Sequence, residues 1–328
     1  MILAGDIGGT NTRLAFADVQ SGRCEIQEES IFPSRDFRSL DEIVLKFMAG
    51  SSRKADAACF GIAGPVRNQR VETSNLPWVV LASHLRTELS MDSVFLINDL
   101  EANACGIAAL DEKDLVPLNQ IQDPAPGNQA VIAAGTGLGE AGLFWDGTRH
   151  RVFACEGGHT DFAPRTDLEV ELLHFLRGRF GHVSYERIIS GPGLVNVFHF
   201  LRDSYRGHHE SWLAEEMRQG DPAAAISKAA LAGKSPLAEQ ALDLMISVYG
   251  AEAGNLALKL FALGGVFLGG GISPKILPKL AGPLFMQAFL GKGRMQTLLE
   301  SVPVKVITND KTALLGAACY ADAKIHPQ

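Results

Sequence analysis

An amide and a carboxylate, Asn98 and Asp99, stand directly after the apolar run Val94 to Ile97. The run predicts a buried strand, and the residues from Glu101 to Leu110 predict the helix that follows it. Open α/β sheets bind ligands at the carboxyl ends of their parallel strands, so Asp99 is a candidate for accepting a proton from a bound ligand. An aspartate at such a turn is also an ordinary helix N-cap. The pair alone does not decide between the two roles.

Three glycine-rich turns each follow a short apolar run that predicts a strand. They are Gly5 to Thr12 after Ile2 to Ala4, Gly135 to Gly139 after Gln129 to Ala134, and Gly269 to Ser273 after Val266 to Leu268. Backbone N–H groups of such turns converge on phosphate oxygens, and glycine permits an approach that a Cβ would block. The first two turns each lead into a second strand pattern, which suggests a duplicated hairpin with two phosphate-facing turns. The first is not a Walker P-loop, because no helix follows it directly, although any tight hairpin could look similar.

Further polar loops carry side chains that suit a polyhydroxylated ligand. They contain Asn75, Glu156, His159 and Glu186. A carboxylate accepts hydrogen bonds from two hydroxyl groups, and an asparagine amide offers a donor and an acceptor together. Plainer interpretations stay open, since Asn75 could cap the turn before Pro77 and Glu186 could form a surface pair with Arg187.

The cysteines point away from a metal centre and from disulfides. Cys24, Cys59, Cys105, Cys155 and Cys319 are scattered, and most lie in apolar or small-residue runs, where cysteine behaves as a core residue. This pattern favours a reducing cytoplasm. Cys155 precedes His159 by four residues, but no second Cys or His pair follows at ligand spacing, so we expect no zinc.

The composition is that of a globular enzyme with an acidic balance. The chain has 328 residues, 46% of them hydrophobic, and a formal net charge of −7, which allows two domains with sizeable cores. No basic run stands out, which argues against a nucleic-acid partner. Asp6 interrupts the first apolar run, so we expect no signal peptide. Lys259 and several glycines interrupt the most hydrophobic later stretch, Leu256 to Gly270, which argues against a membrane span.

The remaining patterns predict alternating strands and helices. Predicted helices cover residues 39–49, 81–90, 167–180 and 311–323, and predicted strands cover 55–62 and 304–307. Ser39 with Glu42 three residues later predicts a capping box at the start of the first of these helices. Ser190 and Pro274 each open a further predicted helix, and Asp221 to Leu263 is mostly helical. Gly250 and Gly254, four residues apart, predict close packing on a neighbouring helix.

The ordered set of motifs resembles the bacterial ATP-dependent glucokinases, whose fold group also holds eukaryotic hexokinases, actin and the heat-shock chaperone ATPases. The motifs are Gly5-Asp-Ile-Gly-Gly-Thr-Asn11, Asn75-Leu-Pro-Trp78, Ile97-Asn-Asp99, Ala134-Gly-Thr-Gly-Leu-Gly139, Glu156-Gly-Gly-His159, Asp161-Phe-Ala-Pro164, His182-Val-Ser-Tyr-Glu-Arg187, Ser190-Gly-Pro-Gly-Leu-Val-Asn196, Gly269-Gly-Gly-Ile272 and Leu314-Leu-Gly316. They span nearly the whole chain in family order. A single glycine turn is nonspecific, but the ordered set is specific.

This resemblance implies an α/β two-domain actin-like ATPase/hexokinase fold, with a mixed sheet flanked by helices in each domain and an active-site cleft between the domains. The implied small domain covers residues 1–110 and returns at about 308–328, where the C-terminal helix rejoins it. The implied large domain covers about 111–307.

The resemblance also implies roles for single residues. Asp99 would be the general base that faces the 6-hydroxyl of glucose, and the sugar would be held by Asn75, Asn98, Asp99, Glu156, His159 and Glu186. The phosphates would be cradled by Gly5, Asp6, Ile7, Gly8, Gly9, Thr10, Asn11, Gly135, Thr136 and Gly137, and the nucleoside would pass along Gly269, Gly270 and Gly271. Mg²⁺ keeps several bound waters and takes phosphate oxygens as ligands, so one protein carboxylate is enough. Asp6 would contact it, through water.

The implied activity is that of a cytoplasmic, homodimeric glucokinase of glycolysis that uses ATP and Mg²⁺, without zinc. The nearest alternative is a kinase for another hexose, such as mannose, fructose or an amino sugar. A non-catalytic sugar sensor is a second alternative, but sensors of this fold group carry a DNA-binding domain ahead of the first hairpin strand, which here begins at Ile2. An actin-type or chaperone-type ATPase would leave the sugar-facing loops unexplained.

Overall fold

Two mixed β-sheets with flanking helices organise the computed structural model, which describes residues 1–20, 23–73, 75–204 and 210–326. Contacts between residues divide the chain into two compact units. Unit 1 contains Met1–Asp114, Val152–Ala154 and Asn309–Gln328, and unit 2 contains Leu115–Arg151 and Cys155–Thr308.

The strands and helices alternate along the chain. The strands are β1 Ile2–Ile7, β2 Asn11–Gln20, β3 Arg23–Pro33, β4 Ala57–Ile62, β5 Arg70–Glu72, β6 Val79–Leu81, β7 Val94–Asn98, β8 Leu115–Pro117, β9 Gln129–Ala134, β10 Leu138–Trp145, β11 His150–Cys155, β12 Gly265–Gly269 and β13 Val304–Ile307. The α-helices are α1 Leu40–Ala49, α2 Ala82–Leu89, α3 Asp99–Gly106, α4 Asp167–Phe180, α5 Gly191–Asp203, α6 Ser211–Gln219, α7 Pro222–Leu231, α8 Pro236–Leu260, α9 Leu277–Leu280, α10 Pro283–Leu290, α11 Gln296–Leu299 and α12 Thr312–Ile325.

The sheet of unit 1 has the strand order β3-β2-β1-β4-β7. β1, β4 and β7 run parallel, and β2 and β3 extend the sheet in antiparallel fashion. Apolar side chains of α1 and α2 cover one face, and those of α3 and α12 cover the other. The parallel strands are buried on both faces and are therefore mostly apolar, and β7 ends at the polar residue Asn98.

Two glycines bring α3 and α12 into backbone contact. A Cβ on Gly316 of α12 would overlap the carbonyl oxygen of Ala102, and a Cβ on Gly106 of α3 would overlap that of Thr312. This packing ties α3, which carries Asp99 at its first position, to the C-terminal helix.

The sheet of unit 2 has the strand order β11-β10-β9-β12-β13-β8. β12 runs parallel to both β9 and β13, whereas β10 is antiparallel to β9 and β8 is antiparallel to β13. The long helix α8 supplies much of the core beside this sheet. The prediction for Gly250 and Gly254 is confirmed, since a Cβ at either position would press on a backbone carbonyl of α10.

Helix signals in the sequence are reproduced by specific hydrogen bonds. At α1, the hydroxyl of Ser39 accepts from the backbone N of Glu42 at 3.4 Å, and the carboxylate of Glu42 accepts from the backbone N of Arg38 at 2.7 Å. This capping arrangement was predicted from Ser39 and Glu42. The two predicted hairpins are also present, as β1 with β2 and β9 with β10.

Several predicted boundaries were wrong. β1 continues to Ile7 rather than ending at Ala4, so Gly5, Asp6 and Ile7 belong to the strand. Gly5 is a glycine because a Cβ there would meet the ring of Phe60 at 2.5 Å, and its role is close packing in the sheet. The chain forms turns after β12, so the next helix, α9, begins at Leu277 rather than at Pro274.

Two further elements were missed. β3 is an edge strand in which most side chains are partly or fully exposed, so no apolar alternation marks it. α6 was missed although its sequence has the amphipathic pattern of a helix. Within the described residues, no helix is both long enough and apolar enough to cross a membrane.

Candidate active site

Asp99 is the first residue of α3, directly after β7 ends at Asn98. The N-cap is Asn98, whose Oδ1 accepts from the backbone N of Leu100 at 2.8 Å and whose Nδ2 donates to the carbonyl oxygen of Gly64 at 3.0 Å. The plain capping role considered for Asp99 therefore belongs mainly to its neighbour. The Asp99 carboxylate sits on the first turn of α3, where the helix dipole favours a negative charge.

Asp6 shares this edge of the sheet with Asp99. Asp6 lies beside Gly61 of β4, which in turn lies beside Ile97 of β7. A Cβ on Gly61 would lie 3.8 Å from the Cα of Asp99, so only a residue without a side chain separates the two strand ends. Burial, and then the negative charge of Asp99, raise the pKa of Asp6 to about 6.

Arg13 is a charged residue beside Asp6 that the sequence motifs did not indicate. It lies opposite Asp6 in the β1–β2 register, and its positive charge opposes the rise in the pKa of Asp6. Its guanidinium also pairs with Glu29 at 3.3 Å and with Asp310 at 3.0 Å. The cross-strand register was the available signal, because a hairpin places residues equidistant from its turn opposite each other.

The first glycine turn is held against the loop that carries Asn75. The backbone N of Gly8 donates to the carbonyl oxygen of Asn11 at 2.9 Å, which closes the turn. A Cβ on Gly9 would meet the Cβ of Asn75 at 2.6 Å. Thr73 holds the neighbouring loop by donating its hydroxyl to the carbonyl oxygen of Leu76 at 2.7 Å. The structure thus brings Asn75 onto the turn, where Thr10 is exposed.

The second glycine turn lies at the N-terminus of α5. The backbone N of Gly135 donates to the carbonyl oxygen of Gly137 at 2.8 Å, and the backbone N of Gly191 donates to that of Gly135 at 2.9 Å. Ser190 caps α5 through its hydroxyl. Thr136 is exposed at the tip of the turn. A helix N-terminus beside a glycine turn is a favourable environment for an anion, and the sequence reasoning had assigned α5 no such role.

The third glycine turn adjoins the second because β9 and β12 are parallel neighbours. Gly269 ends β12, and the backbone N of Ile272 donates to the carbonyl oxygen of Ala134 at 3.1 Å. Gly270 has φ +80°, and a Cβ there would overlap that same carbonyl. Gly271 is exposed. The structure therefore brings two of the three glycine turns together in unit 2.

Glu156, His159 and Glu186 are brought together in unit 2. The Nε2 of His159 lies 4.0 Å from the Oε2 of Glu156, and its Nδ1 lies 3.9 Å from the Oε1 of Glu186. The other oxygen of Glu186 accepts from the backbone N of Leu138 at 3.0 Å. The guanidinium of Arg187 instead lies over the ring of Phe180 at 4.3 Å, so the structure does not support a Glu186–Arg187 surface pair.

A buried polar network lies behind Glu186. The phenol of Tyr185 accepts from Asn255 Nδ2 at 3.0 Å, and the same Nδ2 donates to Glu252 Oε2 at 2.8 Å. Glu252 is fully buried and accepts from Lys259 Nζ at 3.0 Å. These contacts fix the short turn that carries Glu186. The one local sign of this network in the sequence is Glu252, a carboxylate within the apolar pattern of α8.

The acidic residues of unit 1 fit the Mg²⁺ expectation. Burial and the negative charges of Asp99 and Asp310 raise the pKa of Asp6, and a hard cation with oxygen ligands would offset that repulsion. Among the described residues, no group of three or more His, Cys, Asp or Glu side chains could hold a metal ion.

Comparison with known proteins identifies the family. The family model described as Glucokinase matches residues 3–324. The chain belongs to the glucokinase family. It is 42% identical over 338 residues to a glucokinase of Nostoc sp., with 98% of both chains covered. It is 41% identical over 344 residues to a glucokinase of Synechocystis sp., with 97% of both covered. The crystal structure of a glucokinase from an Antarctic psychrotroph is 33% identical, covers 98% of both chains and gives a TM-score of 0.85.

These likenesses confirm the fold and the general function expected from the sequence. The glucokinase-family chain has the α/β actin-like architecture, with mixed sheets flanked by helices. Its function is that of a glucokinase, an ATP-dependent kinase of glucose.

Proposed function

We propose that this glucokinase transfers the terminal phosphoryl group of ATP to the 6-hydroxyl of D-glucose, giving glucose 6-phosphate and ADP. The observation that carries the proposal is the carboxylate of Asp99 on the first turn of α3, at the edge where three parallel strands end. Asn98 supplies the cap and so holds that carboxylate in place.

Asp99 acts as the general base. It takes the proton of the 6-hydroxyl while that oxygen forms its bond to the terminal phosphorus of ATP. The bond from the phosphorus to the bridging oxygen breaks at the same time, and that oxygen leaves with ADP. A positioned base contributes roughly 10²–10⁴ in rate. The rest of the catalysis comes from positioning and from neutralising the charge on the phosphates.

The remaining sugar hydroxyls bind to Glu156, His159 and Glu186, with Asn75 as a further contact. The position of His159, within about 4 Å of both Glu156 and Glu186, supports this assignment. Asn98 has both ends of its amide engaged by backbone groups, so its main contribution is to orient Asp99. A second hydrogen on its Nδ2 still allows the predicted sugar contact.

The nucleotide is bound mainly by backbone. The turn at Gly8 to Thr10 and the turn at Gly135 to Gly137 bind phosphate oxygens, and the N-terminus of α5 adds its dipole. The backbone of Gly269 to Gly271 lies beside the nucleoside. Their packing on the end of β9 supports this arrangement. Asp6 would hold Mg²⁺ through water, and the cation would neutralise part of the charge on the phosphates. Zinc is not required.

Location and assembly follow from the family resemblance. We propose a cytoplasmic homodimer that acts in glycolysis. Sedimentation of the purified protein tests the oligomeric state, and a monomer at micromolar concentration would contradict it.

A coupled assay for ADP formation across a panel of hexoses tests the proposed substrate. Glucose is expected to give the highest kcat/KM, above mannose, fructose and glucosamine, because three hydrogen-bonding side chains define the hydroxyl pattern. A higher value for another hexose would replace glucose as the substrate. Binding without turnover of any hexose would indicate a sugar sensor.

A further inference from the structure

Glu140 is a buried carboxyl that the proposed mechanism does not use. It lies on β10, and its side chain is 1% exposed. Among the described residues, its Oε1 has no hydrogen-bond partner. A buried polar atom without a hydrogen-bond partner lowers the stability of the folded protein. A functional role would explain why a carboxyl is present at this position.

The carboxyl lies directly beneath the loop that carries Glu156 and His159. A Cβ added to Gly157 would overlap the Oε2 of Glu140 and come within 2.7 Å of its Cδ. A Cβ added to Gly158 would overlap the carbonyl oxygen of Leu138, two residues earlier on β10. The two glycines between Glu156 and His159 therefore rest on β10, and Gly157 rests on Glu140 in particular.

The charges around Glu140 favour its neutral form. Burial and then the negative charge of Glu252 raise the pKa of Glu140 to about 8, while Lys259 of α8 lowers it. Cys155 lies at the start of the loop. Its pKa is raised mainly by burial, and also by the negative charges of Glu140 and Glu156. The charge of Glu140 also raises the pKa of Tyr249 of α8, a fully buried phenol whose pKa is raised mainly by its burial.

We propose that Glu140 is a positioning residue for the loop of Glu156 and His159, and that its neutral form holds Gly157 in the conformation needed to bind the sugar. Loss of its proton to solvent leaves a second buried anion beside Glu252. Such a charge is stable only if water or a donor reaches it. Water reaches Glu140 when the loop of Glu156 and His159 moves away from it. Because this movement displaces the two sugar-binding side chains, glucose binding weakens.

This inference rests on the sugar-binding role proposed for Glu156 and His159. The expected pH dependence follows from the fraction of molecules in the binding-competent form. If only the neutral form binds, glucose KM rises about tenfold from pH 7 to pH 9. ATP binding to the isolated protein, whose contacts lie at the glycine turns, stays constant over this range.

The first test compares wild type with Glu140→Gln, which keeps the shape of a neutral carboxyl and cannot ionise. Glucose KM and calorimetric glucose affinity are measured from pH 6.5 to 9.5. Wild type is expected to weaken above pH 8, and Glu140→Gln is expected to keep its affinity. Glu169→Gln is the matched control, because it removes another buried carboxyl of unit 2, the one paired with Arg165. It should retain the wild-type pH profile.

A second measurement separates this inference from the proposed sugar site. Hydrogen exchange of peptides covering residues 155–161, corrected for intrinsic rates, reports the loop without any substrate. Exchange should accelerate between pH 7 and 9 in wild type and not in Glu140→Gln. If it does so while glucose affinity stays constant, Glu140 positions the loop as inferred, but the loop has no role in sugar binding and that part of the inference is wrong. Exchange that is independent of pH, or alike in both proteins, overturns the inference.

A further variant covers the case in which Glu140→Gln does not fold. Lys259 is half exposed and lowers the pKa of Glu140. Lys259→Met should therefore move the midpoint of the loop transition to higher pH. A midpoint that stays in place or moves to lower pH would also overturn the inference.

Discussion

Glu186 illustrates how much a single site residue contributes at the residue scale. One carboxylate oxygen accepts from the backbone N of Leu138 beside the second glycine turn, and the other faces His159 at 3.9 Å. Glu186 thus joins the proposed sugar-binding set to the proposed phosphate-binding turn within unit 2.

Glu186→Gln is expected to raise glucose KM by about ten- to a hundredfold. The change keeps the size of the side chain but removes a charge-assisted hydrogen bond, worth roughly 1.5–3 kcal/mol. Discrimination against sugars altered at the hydroxyl that Glu186 binds should weaken in parallel. Steady-state kinetics over several hexoses measure both effects. Unaltered KM and hexose preference would remove Glu186 from the sugar site.

At the scale of elements, the N-terminus of α3 determines where Asp99 lies. Asn98 caps the helix, and Gly106 and Gly316 allow α12 to pack closely against it. Asn98→Ala should lower the free energy of unfolding by about 1 kcal/mol through loss of the cap. It should also reduce kcat, because Asp99 loses its orientation. Urea denaturation and kinetics measure the two effects, and a fall in stability with full kcat would show that Asp99 does not depend on the cap.

Two glycines of the second turn make a matched pair with different expected defects. Within the described residues, nothing lies within 4 Å of a Cβ built on Gly135, whereas a Cβ on Gly137 would press on the carboxylate of Glu186. Gly135→Val should therefore weaken ATP binding by about tenfold or more and leave glucose binding intact. Gly137→Val should weaken both ligands. Calorimetry with each ligand separates the outcomes, and normal ATP affinity in Gly135→Val would show that the turn faces elsewhere.

The sequence predicted those elements whose signals are local. The strand at Val94 to Ile97, the cap at Ser39 and the glycine hairpins depend on neighbouring residues, and each was found close to its expected place. Signals that depend on the fold were missed. The role of Gly5 depends on Phe60 in another strand, and that of Arg13 depends on the register opposite Asp6. Glu140 could not be interpreted from sequence, because its significance comes from Gly157 lying above it.

At the scale of the whole molecule, the same buried carboxyl should affect folding stability. The pKa of Glu140 rises from 4.5 to about 8 on folding, so the folded state holds a proton that the unfolded state releases between these values. The stability due to this proton is complete below about pH 4.5 and is lost as pH rises toward 8. Each pH unit in this window costs up to about 1.4 kcal/mol.

Glutamine cannot ionise, so Glu140→Gln does not lose stability in this way. Its free energy of unfolding relative to wild type should therefore rise steadily from pH 5 to pH 8. Urea denaturation at several pH values measures the difference. Glu169→Gln serves again as the control and should not show this trend. Parallel stability curves for Glu140→Gln and wild type would mean that Glu140 is ionised in the folded protein.

The most direct test of the proposed mechanism is turnover by Asp99→Asn at saturating glucose and ATP, with glucose affinity measured separately by calorimetry. Asparagine keeps the size of the side chain but cannot accept the proton of the 6-hydroxyl. The proposal predicts that kcat falls by roughly 10²–10⁴ while glucose affinity changes by less than about tenfold. A variant that binds glucose and retains more than about a tenth of the wild-type kcat would contradict the assignment of Asp99 as the catalytic base.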